Sequence, residues 1–396
     1  MAEQPAKKKR KKTLLQVVFG VRRPGEKYFY DYSLVFAIVF LTAVGLVMIH
    51  SSSSYMTQIN NQDPMYHLRR QGLIALAGFV IMIVVSRMDY HWMLKFGVPL
   101  YVLSCILLVY AAKFGIMVNG KRRWIRLPGG ISFQPTELAK LALILFYAVY
   151  VTKHVKKLRT VPGIIVMGCL ELPIFFLVAK NNLSSGIIVL GLAAIISFVA
   201  SDVKWIYGVA LAGVSLIVAF AAQISEGLVN AGILEPYQLS RILVWKAPEQ
   251  YPLDGGYQVL QGLYAIGSGG VMGRGLGESI QKMGSLPESQ NDMIFAIICE
   301  ELGLFGAVSI ILVFLFVIYR CMVIANDAPD MYGSILVVGV MAQIAMQVIF
   351  NIAVVTNSMP NTGVTLPFIS AGGTSILFLM VEMGIVLSVA HTIRLN

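Results

Sequence analysis

The chain has 396 residues, of which 57% are hydrophobic and only 13% are charged, and its mean hydropathy is +0.75. A single soluble core cannot bury this much apolar surface, so the composition excludes an ordinary soluble globular protein. The formal net charge of +11 is concentrated in the N-terminal residues. There it favours an electrostatic anchor on anionic membrane lipids over a nucleic-acid-binding arm.

Residues 1–33 are predicted to be a basic tail, and residues 34–392 a membrane domain. About 20 apolar residues suffice to cross a bilayer as a helix, and runs of this length are too long for barrel strands. The ten runs are centred near residues 34–50, 71–86, 93–112, 136–152, 161–179, 185–200, 205–223, 293–319, 332–355 and 373–390. The predicted fold class is therefore an all-α polytopic membrane protein with about ten transmembrane helices.

Basic residues predict how this bundle is oriented. The tail and the short connection that contains Lys153, Lys156, Lys157 and Arg159 should face the cytoplasm by the positive-inside rule. An uncleaved signal anchor is favoured over a cleaved signal peptide, because nine spans follow the first one. With ten spans, both termini are cytoplasmic, and two large elements face outward: residues 113–135 and the loop 224–291 between helices seven and eight.

A polar segment, residues 284–292, leads directly into the eighth apolar run and ends at Asp292. A charge at the bilayer centre costs about 3 kcal/mol on insertion scales, which makes carboxylates near the membrane candidates for a functional role. Asp292 is placed where an acid can meet a lipid-borne substrate away from bulk water. It is the predicted catalytic residue, with Glu288 of the same segment as a predicted substrate contact.

Glu137 and Lys140 open the fourth span, three residues apart on one helical face. A charged pair inside a membrane should line an interior cavity rather than face lipid. Two interpretations stay open: a purely structural ion pair, or a pair that lines or orients a substrate cavity.

The outward segment 119–126 contains Arg122, Arg123 and Arg126 around Trp124, against the positive-inside bias. An anionic group should compensate these charges, and arginine matches phosphate geometry with two hydrogen bonds. The candidates are the pyrophosphate of a substrate, with Arg123 and Trp124 as predicted substrate contacts, and lipid headgroups. Arg241 in the long loop is weaker evidence, since loops beyond about 60 residues escape the charge rule.

Three further patterns concern metals, nucleotides and irregular backbone. The scattered cysteines and histidines lack metal-ligand spacing, which argues against a protein-built zinc site but leaves a divalent cation open as a cofactor. The glycine-rich residues 267–277 lack the Lys-Ser/Thr of a phosphate-binding loop and indicate tight turns instead. Residues 359–375 contain prolines and glycines that cannot form a plain helix, so this segment should line a cavity or pack on protein.

These blocks, in this order, resemble the SEDS family of bacterial cell-wall synthesis, which includes the FtsW and RodA proteins. The matching residues are Gly120, Arg123, Trp124, residues 134–140, Arg241, residues 255–258, 265–270 and 286–288, Asp292, and residues 294–296, 300–303, 366–370 and 372–373. The resemblance covers nearly everything from Asp31 onward. Asp31 and residues 45–53 and 354–357 look more like the division branch (FtsW) than the elongation (RodA) or sporulation branch.

The resemblance implies a ten-helix peptidoglycan glycosyltransferase that polymerises lipid II at the outer face of the cytoplasmic membrane. It implies a class B penicillin-binding protein, cell-division proteins and membrane lipids as partners, and no nucleic acid. The acid at Asp292 would be catalytic, and Glu137 and Lys140 would lie in the central cavity. One departure matters: Asn182 stands where the family usually has Asp, which puts any proton or metal role there in question.

Polymerisation requires a sugar hydroxyl to displace a polyprenyl pyrophosphate from an anomeric carbon. This calls for a general base at the hydroxyl and for positive charge at the leaving group. Asp292 fits the first role, and Arg123, Arg241 or Lys140 fits the second. A single inverting displacement needs one base and no covalent intermediate. The competing hypotheses are a lipid II flippase, since buried charges and broken helices also occur in transporters, and a division scaffold.

Overall fold

The structure is a computed structural model that describes residues 30–59, 63–118, 121–126, 132–180, 182–230, 236–252 and 255–393. The predicted basic tail, residues 1–33, therefore lies almost entirely outside the described residues. The described helices are α1 Tyr32–Ile59, α2 Tyr66–Ser86, α3 Gly97–Phe114, α4 Pro135–Leu158, α5 Val161–Ala179, α6 Leu183–Ala200, α7 Trp205–Ala219, α8 Ala221–Asn230, α9 Pro236–Lys246, α10 Gly256–Gly269, α11 Ile294–Asn326, α12 Met331–Val355 and α13 Gly373–Ala390. Two short 3-10 helices, Tyr90–Lys95 and Pro248–Gln250, and three short strands complete the described elements.

Nine of the described helices are long and apolar enough to cross a membrane: α1 to α6 and α11 to α13. The seventh predicted span corresponds to α7, which has 15 residues and is followed after Phe220 by α8. At 1.5 Å per residue α7 is about 22 Å long, shorter than a hydrocarbon core of about 30 Å. The chain is a multi-pass helical membrane protein, and the predicted fold class is confirmed.

Helices α4, α12 and α13 are the most buried of the spans and form the centre of the bundle. Around them, α2 packs on α13, α3 packs on α4, and α6 packs on α12, while α1 packs on α11. The outer helices keep large apolar side chains exposed on their outward faces, as expected for surfaces that contact lipid. No residue of α7 is buried.

The segment before α4 forms a small antiparallel sheet, which the helical periodicity of the sequence did not predict. Strand β1 is Ile116–Val118, β2 is Lys121–Arg126 and β3 is Ser132–Phe133, in the order β1-β2-β3. Ile116 pairs with Trp124, and Ile125 pairs with Phe133. The sheet packs on α3 and α13, so it covers one end of the bundle.

Helix α11 is interrupted at Gly303, whose φ of +68° and ψ of −169° are not helical. Residues 270–275 insert at this break and satisfy the freed backbone groups. The amides of Leu304 and Phe305 donate to the carbonyls of Gly270 and Val271, at 2.9 and 3.1 Å. In return, the amides of residues 274 and 275 donate to the carbonyls of residues 300 and 301, at 2.9 and 3.0 Å. Irregular backbone at this depth is thus paired with protein rather than with lipid.

Candidate active site

Asp292 lies two residues before α11 and is only 9% exposed. Its Oδ1 atom has no hydrogen-bond partner among the described residues. Burial, reinforced by the negative charge of Glu288, raises the pKa of Asp292 to about 7, while Arg241 acts in the opposite direction. A carboxyl group with a pKa near neutrality is well suited to accept a proton at physiological pH.

Hydrogen bonds link the backbone around Asp292 to the connection between α12 and α13, residues 356–372. The fully buried amide of Asn351 donates to the carbonyls of Asp292 and Val364, at 2.7 and 2.8 Å. Ser370 Oγ donates to the carbonyl of Asn291 at 2.7 Å. The irregular segment, predicted to line a cavity or to pack on protein, therefore packs directly against the residues around Asp292.

Two buried glutamates of α11 hold the other end of the segment that leads to Asp292. Glu300 accepts hydrogen bonds from Ser279 Oγ and from the amide of Ile280, the latter at 3.0 Å. Glu301 pairs with the buried ammonium of Lys282 at 2.9 Å and accepts from Ser51 Oγ of α1 at 2.6 Å. Residues 279–292 are thus held at both ends, and Asp292 is presented on a rigid support.

Arg241 and Gln258 lie in the long loop between α7 and α11 and connect it to the residues around Asp292. Arg241 Nη1 donates to the carbonyl of Asn361 at 3.0 Å, and the Asn361 amide donates to Gln258 Oε1 at 2.8 Å. Gln258 Nε2 in turn donates to the carbonyl of Pro287 at 3.4 Å. Arg241 is exposed, so its positive charge acts on Asp292 from a position that an anionic ligand can reach.

Glu288 lies on the segment before Asp292 in a left-handed backbone conformation, with φ of +54°. Its Oε2 atom accepts a hydrogen bond from the side chain of Asn291. Of the predicted substrate contacts, the structure therefore brings Glu288 and Arg241 into the electrostatic surroundings of Asp292.

Glu137 and Lys140 form the predicted pair, with Oε1 and Nζ 2.9 Å apart and both side chains buried. Ser375 Oγ of α13 donates to the second oxygen of Glu137 at 3.3 Å. The charges of this pair also act on Glu382 of α13, a fully buried acid whose two oxygens accept from Gln343 at 3.0 and 2.8 Å. Sequence reasoning missed Glu382, although a lone acid in an apolar span is itself a signal.

Arg123 and Trp124 lie on β2, which packs against α3 and α4. Both side chains are partly buried, whereas Arg122 is exposed and donates to the carbonyl of Lys113. The side-chain charges with the largest effect on the pKa of Asp292 are those of Glu288 and Arg241. The predicted roles of Arg123 and Trp124 in substrate binding stay predictions.

The carboxylates available to a cation at this site are Asp292 and Glu288. No group of three or more His, Cys, Asp or Glu side chains that could hold a metal lies within the described ranges. Magnesium is often bound by one or two carboxylates together with the phosphates of a substrate. The two residues fit an ion shared with a pyrophosphate, and do not fit a cage built by the protein alone.

A family model described as "Cell cycle protein", of the FtsW, RodA and SpoVE proteins, matches residues 32–395. The chain belongs to this family. A probable peptidoglycan glycosyltransferase FtsW of Geobacter sp. (strain M18) is 35% identical over 373 residues, which cover 92% of this chain and 98% of the relative. The stage V sporulation protein E of Bacillus subtilis (strain 168) is equally similar, at 35% identity and the same coverage.

Solved structures of family members share the fold. A chain from a peptidoglycan synthase complex that coordinates polymerization and crosslinking superimposes with a TM-score of 0.74 at 27% identity, and the match covers 91% of this chain and 97% of that one. The rod shape determining protein RodA of Thermus thermophilus gives a TM-score of 0.64 at 24% identity, covering 93% and 98% of the two chains. The second likeness concerns the fold alone.

Asn182, which stands where the family usually has Asp, has a local structural role. Asn182 is the N-cap of α6, and its side-chain oxygen accepts from the amide of Ser185 at 3.3 Å. Asn and Asp are about equally good N-caps, so the substitution keeps the helix start intact. Ser184, in the first turn of the same helix, donates to the carbonyl of Thr362 at 2.8 Å and thereby joins α6 to the connection that supports Asp292.

Proposed function

We propose that this chain is a peptidoglycan glycosyltransferase that polymerises lipid II into glycan strands, with Asp292 as its general base. The observation that carries the proposal is the state of Asp292: buried, with an unpartnered Oδ1 among the described residues and a pKa of about 7. The names of curated relatives, at 35% identity over more than nine tenths of the chain, support the same enzyme class.

In this mechanism Asp292 accepts the proton of the attacking sugar hydroxyl as the new glycosidic bond forms. The bond from the anomeric carbon to the pyrophosphate breaks in the same displacement, and Arg241 stabilises the negative charge that develops on the departing group. Arg123 and Trp124 would contact the pyrophosphate and the membrane interface, and Glu137 and Lys140 would line the cavity in the bundle. Asp292 and Glu288 would be the residues that hold a divalent cation, whose chemistry would be to neutralise negative charge on the phosphates.

The active side is proposed to be the outer face of the cytoplasmic membrane, with both termini in the cytoplasm. The support comes from the distribution of basic residues, since the basic connection 153–159 favours a cytoplasmic position by the positive-inside rule. A class B penicillin-binding protein is the proposed partner, since a structurally similar chain belongs to a synthase complex that coordinates polymerization with crosslinking.

We propose a role in cell division rather than in elongation or sporulation, because the residues near Asp31 and at 354–357 resemble those of the division branch. Identity alone does not separate division from sporulation, because the FtsW and SpoVE relatives are both 35% identical to this chain. Complementation of conditional mutants of each type would separate them.

The test is polymerisation of purified lipid II by the wild-type protein and by Asp292→Asn, each with and without a class B penicillin-binding protein. Asn is nearly isosteric with Asp, so the variant should fold and insert but lose at least nine tenths of the activity, since it cannot accept the proton. Asp63→Asn is the matched control, because Asp63 is half-exposed in a surface ion pair with Arg69. Full activity of Asp292→Asn would remove Asp292 from the mechanism.

The buried cluster of Glu137, Lys140 and Glu382 favours one alternative function, the movement of lipid II between leaflets. Buried ionisable residues inside a bundle are typical of transport pathways. Proteoliposomes that contain labelled lipid II distinguish the two functions. Glycan products without transfer between leaflets support the polymerase, whereas transfer without products supports the flippase.

A further inference from the structure

Two polar contacts join α1 to α11 at opposite ends. At one end, Arg320 Nε and Nη2 both contact Asp31 Oδ2, at 2.8 and 2.7 Å. At the other end, Ser51 Oγ donates to Glu301 at 2.6 Å, and the ammonium of Lys282 contacts both side chains at 2.9 Å. Charged groups of membrane proteins concentrate at the two boundaries of the hydrocarbon core, where they can reach water and headgroups.

The spacing of these two contacts matches the thickness of a bilayer core. Along α1, Asp31 and Ser51 are separated by about 30 Å, and along α11 Glu301 and Arg320 are separated by about 28 Å, at 1.5 Å per residue. The hydrocarbon core of a typical bilayer is about 30 Å thick. The two contacts therefore mark the membrane boundaries, and Glu301 lies at the boundary nearer to Asp292.

The two membrane boundaries give the depth of the glycine-rich loop, residues 270–277, in the bilayer. The loop is bonded to the amides of Leu304 and Phe305. These residues lie three and four positions beyond Glu301 toward the membrane centre, or about 5 Å inside the boundary. Glycines permit this close approach: a Cβ on Gly273 would lie 2.2 Å from the carbonyl oxygen of Glu301.

Three side chains of the loop at this depth are apolar and exposed, whereas its one charged side chain turns back to the protein: Arg274 Nε donates to the carbonyl of Ser268 at 3.4 Å and lies 3.8 Å from Glu300 Oε1. Val271, Met272 and Leu276 are 64%, 79% and 57% exposed. They continue the surface of Leu304 and Phe305, which are 60% and 71% exposed on a membrane-spanning helix. A soluble loop would not present three such neighbouring side chains to water without a partner.

We propose that residues 270–277 are a membrane-seated loop, whose side chains at Val271, Met272 and Leu276 contact the acyl chains of the lipid leaflet on the Asp292 side. The occupant of this surface is lipid, because the surface is continuous with the lipid-facing side of α11. Through Glu300 and Glu301 the same loop supports residues 279–292. The bilayer is therefore part of the support of Asp292. The proposal rests on the membrane domain alone and does not depend on the glycosyltransferase activity.

The test uses a nitroxide label at Met272→Cys, in protein whose accessible thiols are removed by Cys105→Ala and Cys169→Ala, reconstituted in nanodiscs of phosphatidylethanolamine and phosphatidylglycerol. Collision rates with oxygen, which concentrates in lipid, and with a water-soluble nickel complex are compared. Gln250→Cys, at an exposed site of the outward loop, is the aqueous control, and Leu312→Cys, 59% exposed on α11, is the lipid control.

The oxygen-to-nickel collision ratio at residue 272 should be severalfold higher than at residue 250 and below that at residue 312. A ratio equal to that at residue 250 would place the loop in water and overturn the proposal. Low collision rates with both reagents would also overturn it, because they would mean that a second copy covers the surface. Leu276→Cys provides an independent site if the label at residue 272 disturbs the loop.

Discussion

At the scale of single residues, Asp292 titrates between two opposite neighbouring charges. A general base must be ionised, so polymerase activity should fall as the pH drops through about 7, the pKa of Asp292. Glu288→Gln removes the negative neighbour and should move the activity midpoint to lower pH. Arg241→Gln removes the positive neighbour and should move the midpoint to higher pH. The measurement is kcat and KM for lipid II between about pH 5.5 and 8.5, which is about one and a half units either side of that pKa.

The same titration has a consequence for stability that does not depend on activity. Because the pKa in the folded protein is above the ordinary carboxyl value of 3.8, the folded state binds the proton more tightly, and its stability falls as the pH rises from about 4 to 7. Asp292→Asn removes this penalty and should be more stable than the wild type at pH 8, by up to about 4 kcal/mol. The advantage should disappear at pH 4. A constant difference in Tm across this range would contradict the assigned pKa.

Glu137 and Lys140 should behave as a coupled pair. Removal of one partner leaves a buried charge uncompensated, at a cost of about 3–5 kcal/mol, so Glu137→Gln and Lys140→Met should each lower the Tm. Lys140→Met should be the more harmful, because it leaves Glu137 and Glu382 near each other without a cation. The double variant should lose less than the sum of the single losses, whereas additive losses in a double-mutant cycle would mean that the two groups do not interact.

Some of the residues at these sites could be predicted from the sequence and others could not, for a physical reason. Asp292, Glu137 and Lys140 stand out because a charge beside or within an apolar run needs an explanation. Asn351 carries no such signal, and its role depends on two carbonyl groups that only the folded chain brings together. The same holds for Glu300 and Glu301, which are visible as acids in the sequence but whose partners at residues 279–282 come from a separate segment.

At the scale of secondary-structure elements, the eighth span shows most clearly what periodicity cannot predict. Residues 293–319 read as one continuous apolar helix, but the helix is broken at Gly303 and completed by the backbone of another segment. The small sheet at residues 116–133 was missed for a related reason, because short strands depend on pairing between segments rather than on a local pattern.

The break in α11 predicts that glycine is required at position 303. Gly303→Ala places a Cβ 2.3 Å from the amide nitrogen of Gly273, at a φ of +68° that L-residues rarely adopt. Left-handed strain of about 1–2 kcal/mol adds to this backbone clash, so a loss of more than about 3 kcal/mol is expected. Gly267→Ala in α10 is the matched control, since its Cβ would meet no atom within 4 Å. Thermal unfolding in nanodiscs measures both, and equal Tm values would show that the break is not required.

At the scale of the whole molecule, the class, the family and most helix positions could be predicted from the sequence. Membrane spans are set by length and hydropathy, which are local properties, and the family rests on blocks spread over the whole chain. What could not be predicted is which helices meet. The central position of α4, α12 and α13 depends on buried contacts between helices whose hydropathy resembles that of their outer neighbours.

The Asp31–Arg320 contact allows one prediction about the bundle as a whole, because it joins the first and eighth spans over a sequence distance of 289 residues. Asp31 is nearly fully buried and also caps α1 by accepting from the amide of Leu34 at 3.0 Å. Arg320→Lys keeps the charge but loses the planar fork that reaches Asp31 with two nitrogens, so a loss of about 1.5–3 kcal/mol is expected. Arg159→Lys is the control, because the Arg159–Asp202 pair is exposed on both sides and should change stability by less than about 1 kcal/mol. Thermal unfolding of both variants in the same lipid compares them, and equal shifts would mean that the Asp31–Arg320 contact does not stabilise the packing of α1 on α11.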